Sequence, residues 1–243
     1  MKLLSTLAVV ALAVMLSPTL SAIPIPLQST GIGPLVPSSL AGGDVDPDWV
    51  ITQILNPNPP GSVPSNCPGS SCYAAVVDIP NTVNPPGWVA NDANSRWVWV
   101  TPAASPTAFD PPSLTVMMET HFTLPSNANL NDVTLAFRMA ADDAITAVRV
   151  NGVLVPGANW ASFGSFSPLI TVNAASFGGP NPFVIGDNVL EFTIVDNRIY
   201  GGFRLEVNGS ATQYGEIPEP ASLTMLGGGL LALVYGIRRK SAA

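Results

Sequence analysis

From Leu114 onward apolar and polar residues alternate with a period of two, and this pattern limits the possible folds more than any other feature. Leu114, Val116, Met118, Phe122 and Leu124 share one parity. Thr115, Glu119, His121 and Thr123 hold the other, with Met117 as the exception, and Pro125 ends the run. Successive strand side chains point to opposite faces, so such a run is a strand with one buried face. Val133, Leu135, Phe137 and Met139 repeat the pattern against Thr134 and Arg138. Leu190, Phe192 and Ile194 do so against Glu191 and Thr193, and Phe203, Leu205 and Val207 against Arg204 and Glu206. Between Thr146–Val150 and Val153–Val155 stands Asn151-Gly152, a pair suited to the two positive φ angles of a tight hairpin. Shorter apolar runs at Val50–Leu55, Tyr73–Asp78, Trp97–Thr101 and Leu169–Val172 read as further strands. About nine short strands, Gly/Pro/Asn turns and no comparable helical face predict an antiparallel two-sheet β-sandwich.

The 25 Pro and 21 Gly among 243 residues fit a turn-rich β protein. Between Asp44 and Glu216 lie fifteen acids, five Arg and no Lys, a net charge of −10 in that stretch. A nucleic-acid partner is excluded on this ground, because phosphate binding needs clustered cations.

Both ends read as targeting segments. Met1–Ala22 has one Lys, an apolar core from Leu3 to Leu16 and the small residues Ser21 and Ala22 before a cut, which is a secretory signal. Residues 23–48 are rich in Pro, Ser and Gly and are expected as a linker, 49–210 as the β-sandwich domain and 211–217 as a second linker. The tail joins Pro218-Glu219-Pro220-Ala221-Ser222, an apolar run Leu223–Ile237, and Arg238, Arg239 and Lys240. Basic residues after an apolar span are retained on the cytoplasmic side, which puts everything before them across the membrane. At about 1.5 Å per residue the run is shorter than a bilayer core of about 30 Å, and Gly227–Gly229 weaken it as a helix, so it suits temporary anchoring.

These three parts in order resemble the PEP-CTERM sorting signal, carried by exported proteins of exopolysaccharide-making Gram-negative bacteria. The resemblance implies anchoring of segment 218–240 in the inner membrane through a short helix, and processing by the membrane protease exosortase. It further implies delivery to the cell surface or extracellular matrix. Pro218, Glu219, Pro220, Arg238, Arg239 and Lys240 are then sorting residues, and Glu219 is no catalytic carboxylate.

A second resemblance rests on Trp97-Val-Trp, His121-Phe-Thr-Leu-Pro, Ala141-Asp142-Asp143 and Val148-Arg-Val-Asn-Gly, with Gly186-Asp-Asn-Val-Leu-Glu-Phe and Gly201-Gly-Phe-Arg-Leu-Glu-Val. Residues 45–210 are similar to the galactose-binding-domain-like jelly roll of carbohydrate-binding modules. A fold does not fix a function.

Few residues are suited to catalysis. His121 is the sole histidine, no Gly-x-Ser-x-Gly elbow accompanies it, and a two-histidine zinc motif cannot form. Asp142 and Asp143 are adjacent, so on a strand they diverge, whereas a glycosidase needs two carboxylates facing across the scissile bond. Cys67 and Cys72 are the only cysteines, and in an exported chain they are expected to form a small disulfide loop. Asp44, Asp46 and Asp48 read as a solvated acidic turn, with a calcium site as the alternative. No other cofactor is expected.

Binding is better supported, because an aromatic ring stacks on the apolar face of a pyranose while Arg, Asn or Asp fixes hydroxyls. Trp88, Trp160 and Tyr200 stand in loops, the last beside Arg198, and these four are the candidate ligand-binding residues. The expected function is a non-enzymatic surface or matrix protein that binds exopolysaccharide or another surface glycan. The alternative is a structural surface protein without a small ligand.

Overall fold

The period-two runs form strands whose buried and exposed faces follow the alternation. The computed structural model describes residues 20–33, 39–55, 72–77, 87–101, 114–197, 200–214 and 227. The strands are β1 (Leu20–Pro24), β2 (Val45–Leu55), β3 (Cys72–Val76), β4 (Val98–Trp99), β5 (Leu114–Leu124) and β6 (Ala128–Asp142). They continue as β7 (Ala144–Val150), β8 (Val153–Leu154), β9 (Ile170–Asn173), β10 (Gly186–Asp196) and β11 (Gly202–Tyr214). Two units divide the chain. One is Ala22–Thr212; the other, Met1–Ser21 with Gln213–Ala243, is described only at Leu20, Ser21, Gln213, Tyr214 and Gly227.

Hydrogen bonding runs through one sheet in the order β8-β7-β10-β5-β2-β3-β4-β11-β6-β9, with β1 also on β11. The sheet curls, so β8-β7-β10-β5-β2 forms one layer and β3-β4-β11-β6-β9 the other. Rings bridge them: Phe192 of β10 lies 5.9 Å from Phe137 of β6 and 5.0 Å from Phe203 of β11. Trp49 of β2 adds contacts to Phe192 and Phe203 at 5.8 and 5.5 Å. The architecture is an all-β, antiparallel sandwich whose two layers are continuous through the β2–β3 pairing.

The β5–β10 pairing is unbroken from Leu114↔Asp196 to Leu124↔Gly186. Asn151 and Gly152 both have positive φ, at 49° and 79°, and turn β7 into β8 as their sequence predicts. The Asn151 side chain also accepts from Val189 N at 2.8 Å and donates to the Asn188 amide oxygen at 2.8 Å. The Gly-Asp-Asn motif opening β10 is therefore a clasp on the hairpin.

Within segment 23–48, expected as a linker, residues 25–32 pack onto the sandwich. Ile25, Leu27, Thr30 and Ile32 are buried, Ile25 N donates to Gly209 O at 2.9 Å, and Thr30 N to Leu205 O at 3.1 Å. The reason is geometric. β4 is two residues long and meets β11 at Phe203, so beyond that point the N-terminal segment occupies the edge that β4 leaves bare. Cys72 is disulfide-bonded; Cys67, the chain's other cysteine, lies outside the described residues. So do Arg198 and the tail residues Pro218, Glu219, Pro220, Arg238, Arg239 and Lys240. Among the described residues no helix is long and apolar enough to cross a membrane.

Candidate functional site

A groove of about 390 Å³ lies over β6 and β11. Arg138 and Ala136 of β6 and Glu206 and Asn208 of β11 belong to the parity facing away from the core, and all four line it. Leu27, Gln28, Ser29 and Ile32 contribute from the N-terminal segment. Ala93 and Asn94 come from the strap between Trp88 and Trp97, and Leu169 from beside β9. Mixed apolar surface with a few placed polar groups is the usual make-up of a small-ligand site.

Charge in the groove is organised around Glu206. Arg138 Nε donates to Glu206 Oε2 at 2.7 Å and its Nη2 lies 2.6 Å from the same oxygen. Ser95 Oγ donates to Oε1 at 3.3 Å. Arg138 is 45% exposed and Glu206 16%, so the pair is open to a ligand on the arginine side. Beneath it sits Arg204, at 0% exposure. Arg204 Nε donates to Ser95 Oγ at 2.7 Å, Nη2 lies 3.0 Å from Asp92 Oδ1, and Nη1 donates to the carbonyls of Val89 and Ala90. Burial pulls this guanidinium below its ordinary pKa against the charges of Asp92 and Glu206. Burial also acts to raise the Asp92 carboxyl, but the N–H groups of Asn94 and Ser95 and the Arg204 charge outweigh it and hold the pKa low. The Phe166 ring takes both guanidinium groups, with Arg138 Cζ 4.6 Å and Arg204 Cζ 4.8 Å from its centroid.

The loop aromatics are placed differently from expectation. Trp88 is corrected: at 6% exposure it packs on Trp97 at 4.2 Å between centroids and donates from Nε1 to Asp142 Oδ2 at 2.7 Å. With its ring in the core and its N–H occupied, it offers no face to a sugar. Trp160 is half-buried against the core and donates from Nε1 to Ser165 O at 3.0 Å, closing the loop that presents Phe166. Tyr200 is half-buried against the core.

Asp142 and Asp143 form the corner where the chain crosses between layers. Asp143 Oδ2 accepts from Asn197 N at 2.6 Å, while Asp142 holds Trp88. Burial pushes Asp142 up to about 6, the Trp88 bond lowers it, and Asp143 raises it again. His121 lies on the outer face of β5, with Nδ1 2.9 Å from Asp187 Oδ2 and Nε2 3.2 Å from Glu119 Oε1. Asp46 is fully buried and accepts from Gly31 N at 2.6 Å and Asp48 N at 3.1 Å. Its burial pushes it up to about 7 against those two bonds. Asp44 instead accepts from Ala41 N at 2.8 Å. Asp44 and Asp46 thus face different backbone partners, and among the described residues no group of three His, Cys, Asp or Glu side chains is arranged to hold a metal ion.

The sequence did not single out the groove residues, although Arg138, Arg204 and Glu206 were assigned to the outward parity. The available signal was that three of the five Arg between Asp44 and Glu216 fall on strand faces turned away from the core.

The tail is settled by comparison with known proteins. A family model described as the PEP-CTERM protein-sorting motif matches residues 216–240. The chain carries a PEP-CTERM sorting signal. Such a motif indicates an exported surface protein that is anchored in the membrane and then processed. No curated protein matches the chain. Among solved structures it is similar to a PA14 sugar-binding domain from an RTX adhesin, with 20% identity and a TM-score of 0.25 over 41% of this chain. That match spans about half, 48%, of the adhesin domain. A Stig cyclase from Fischerella sp. TAU gives 13% identity and a TM-score of 0.40, covering 81% of this chain and 100% of the cyclase. The module TmCBM61, in complex with β-1,4-galactotriose, gives 13% and 0.31, covering 69% of this chain and 90% of the module. These are loose likenesses, and no activity is carried over from them.

Proposed function

We propose that this exosortase-sorted protein binds exopolysaccharide or another surface glycan in the groove over β6 and β11, and acts without catalysis. The observation that carries the reading is the groove itself, with an accessible Arg138–Glu206 pair among the amides of Gln28, Asn94 and Asn208. Amide and guanidinium donors read sugar hydroxyls, while Leu27, Ile32 and Leu169 supply apolar surface for the C–H faces of a pyranose. Glu206 is the sole carboxylate among the lining residues, and hydrolysis of a glycosidic bond takes two. Surface delivery by the sorting signal brings the groove to the matrix.

The test is a titration of the full chain, purified in detergent, against the exopolysaccharide of its producing strain. Saturable binding weakened at least about tenfold by Arg138→Ala is the expected result. Trp160→Ala and Tyr200→Ala measure what the neighbouring loops add. A flat response from a folded protein refutes the reading and favours a structural surface protein.

A further inference from the structure

The groove also points to a class of glycan, an inference that rests on the glycan reading of the same site. The two guanidinium groups of Arg138 and Arg204 are both paired within the fold. Arg138 is held by Glu206, and Arg204 by Asp92 at 3.0 Å with Glu206 at 3.8 Å, so two cations meet two carboxylates. The remaining polar lining is uncharged: Gln28, Ser29, Asn94 and Asn208. Among the residues that line the groove a carboxylate-bearing sugar would find no unpaired cation. To reach Arg138 it must displace Glu206, whose other anchors, Ser95 and the buried Arg204, stay in place, or lie beside the Glu206 charge. The surrounding stretch from Asp44 to Glu216, at −10, repels an acidic polymer before contact. A neutral sugar meets none of these obstacles. Its hydroxyls donate to the Glu206 carboxylate and accept from Arg138 without breaking the pair, and charge-assisted hydrogen bonds are the stronger kind.

We infer that the groove selects neutral hexose glycans and rejects uronate-rich ones, with the Arg138–Glu206 pair as the selecting element. The experiment titrates the full chain in detergent with β-linked galacto-oligosaccharides, cello-oligosaccharides and oligogalacturonate at low and moderate salt. At least one neutral series should bind, with oligogalacturonate at least about tenfold weaker. Glu206→Gln should narrow that gap by releasing Arg138. Ala93→Arg, on the exposed strap, adds a cation at the groove without touching the core or a sugar-reading amide and should admit oligogalacturonate even where Glu206→Gln fails to fold. Oligogalacturonate bound as tightly as the neutral sugars overturns the charge inference and leaves the glycan reading standing. So does Ala93→Arg with neutral binding intact and no gain for the uronate. Failure of every oligosaccharide and of the producing strain's polysaccharide overturns both.

Discussion

Replacing Arg204 with Met tests whether the strap that forms part of the groove is held by one buried cation. Met keeps an unbranched apolar stem and deletes the guanidinium. Val89 O, Ala90 O and Ser95 Oγ then lose their donor in a site with 0% exposure. Asp92, at 44%, is left to solvent. Breaking a buried, hydrogen-bonded charge set by removing one member costs about 3–5 kcal/mol. At roughly 2–4 °C per kcal/mol for a domain of this size, melting falls by roughly 10 °C. Arg138→Met is the control. It removes an exposed partner of the same Glu206 and should cost under about 1 kcal/mol, because solvent screens such a pair. Urea denaturation of the full chain in detergent gives both numbers. Equal losses for the two variants would refute the reasoning, since the strap would then not depend on the buried cation.

Three further predictions concern titration and packing. Burial acts to lower the His121 pKa, but the bonds and charges of Asp187 and Glu119 outweigh it and raise it. Its contribution is therefore complete below about pH 6.5 and lost as pH rises through the raised value, so wild type and His121→Gln should differ in urea midpoint near pH 5.5 and converge near pH 9. Asp142, also raised, to about 6, contributes below its unfolded value and loses that contribution as pH climbs past about 6. Asp143→Asn should move the pH midpoint of Trp88 fluorescence downward, read as the difference from Trp88→Phe; an unmoved midpoint removes Asp143 as a cause. Gly201→Ala drives a methyl into the Trp99 indole and should cost about 1–3 kcal/mol by thermal melting, whereas Gly179→Ala, with ordinary room, should be near neutral.

Where one face was buried and the other wet, the sequence was legible. The whole of β5 appears as its own alternation, because a one-residue slip would have turned Phe122 and Leu124 to solvent. The Asn151-Gly152 hairpin was equally plain, since few other pairs adopt its dihedrals cheaply. The groove was not. Arg204 and Glu206 both sit on an outward parity, and period two cannot tell a face open to water from one roofed by the strap. That difference depends on the contact of Arg204 with Val89 and Ala90, more than a hundred residues away. Trp88 misled for the same reason: a Pro/Gly-rich neighbourhood reads as an exposed loop, and only the Asp142 corner shows that it closes over the core. Residues 25–32 lack periodicity because they follow the irregular edge left by a two-residue β4.

The position of the last strand has a consequence for how the protein is made. β11 ends at Tyr214, just before the sorting motif begins at residue 216, and it lies between β4 and β6 in the middle of its layer. A chain threaded through the envelope from its N-terminus delivers this strand after every other described strand. Until then β4 and β6 keep bare edges, open to pairing with other chains. Closure of the sandwich thus waits until the residues just before the sorting motif have crossed.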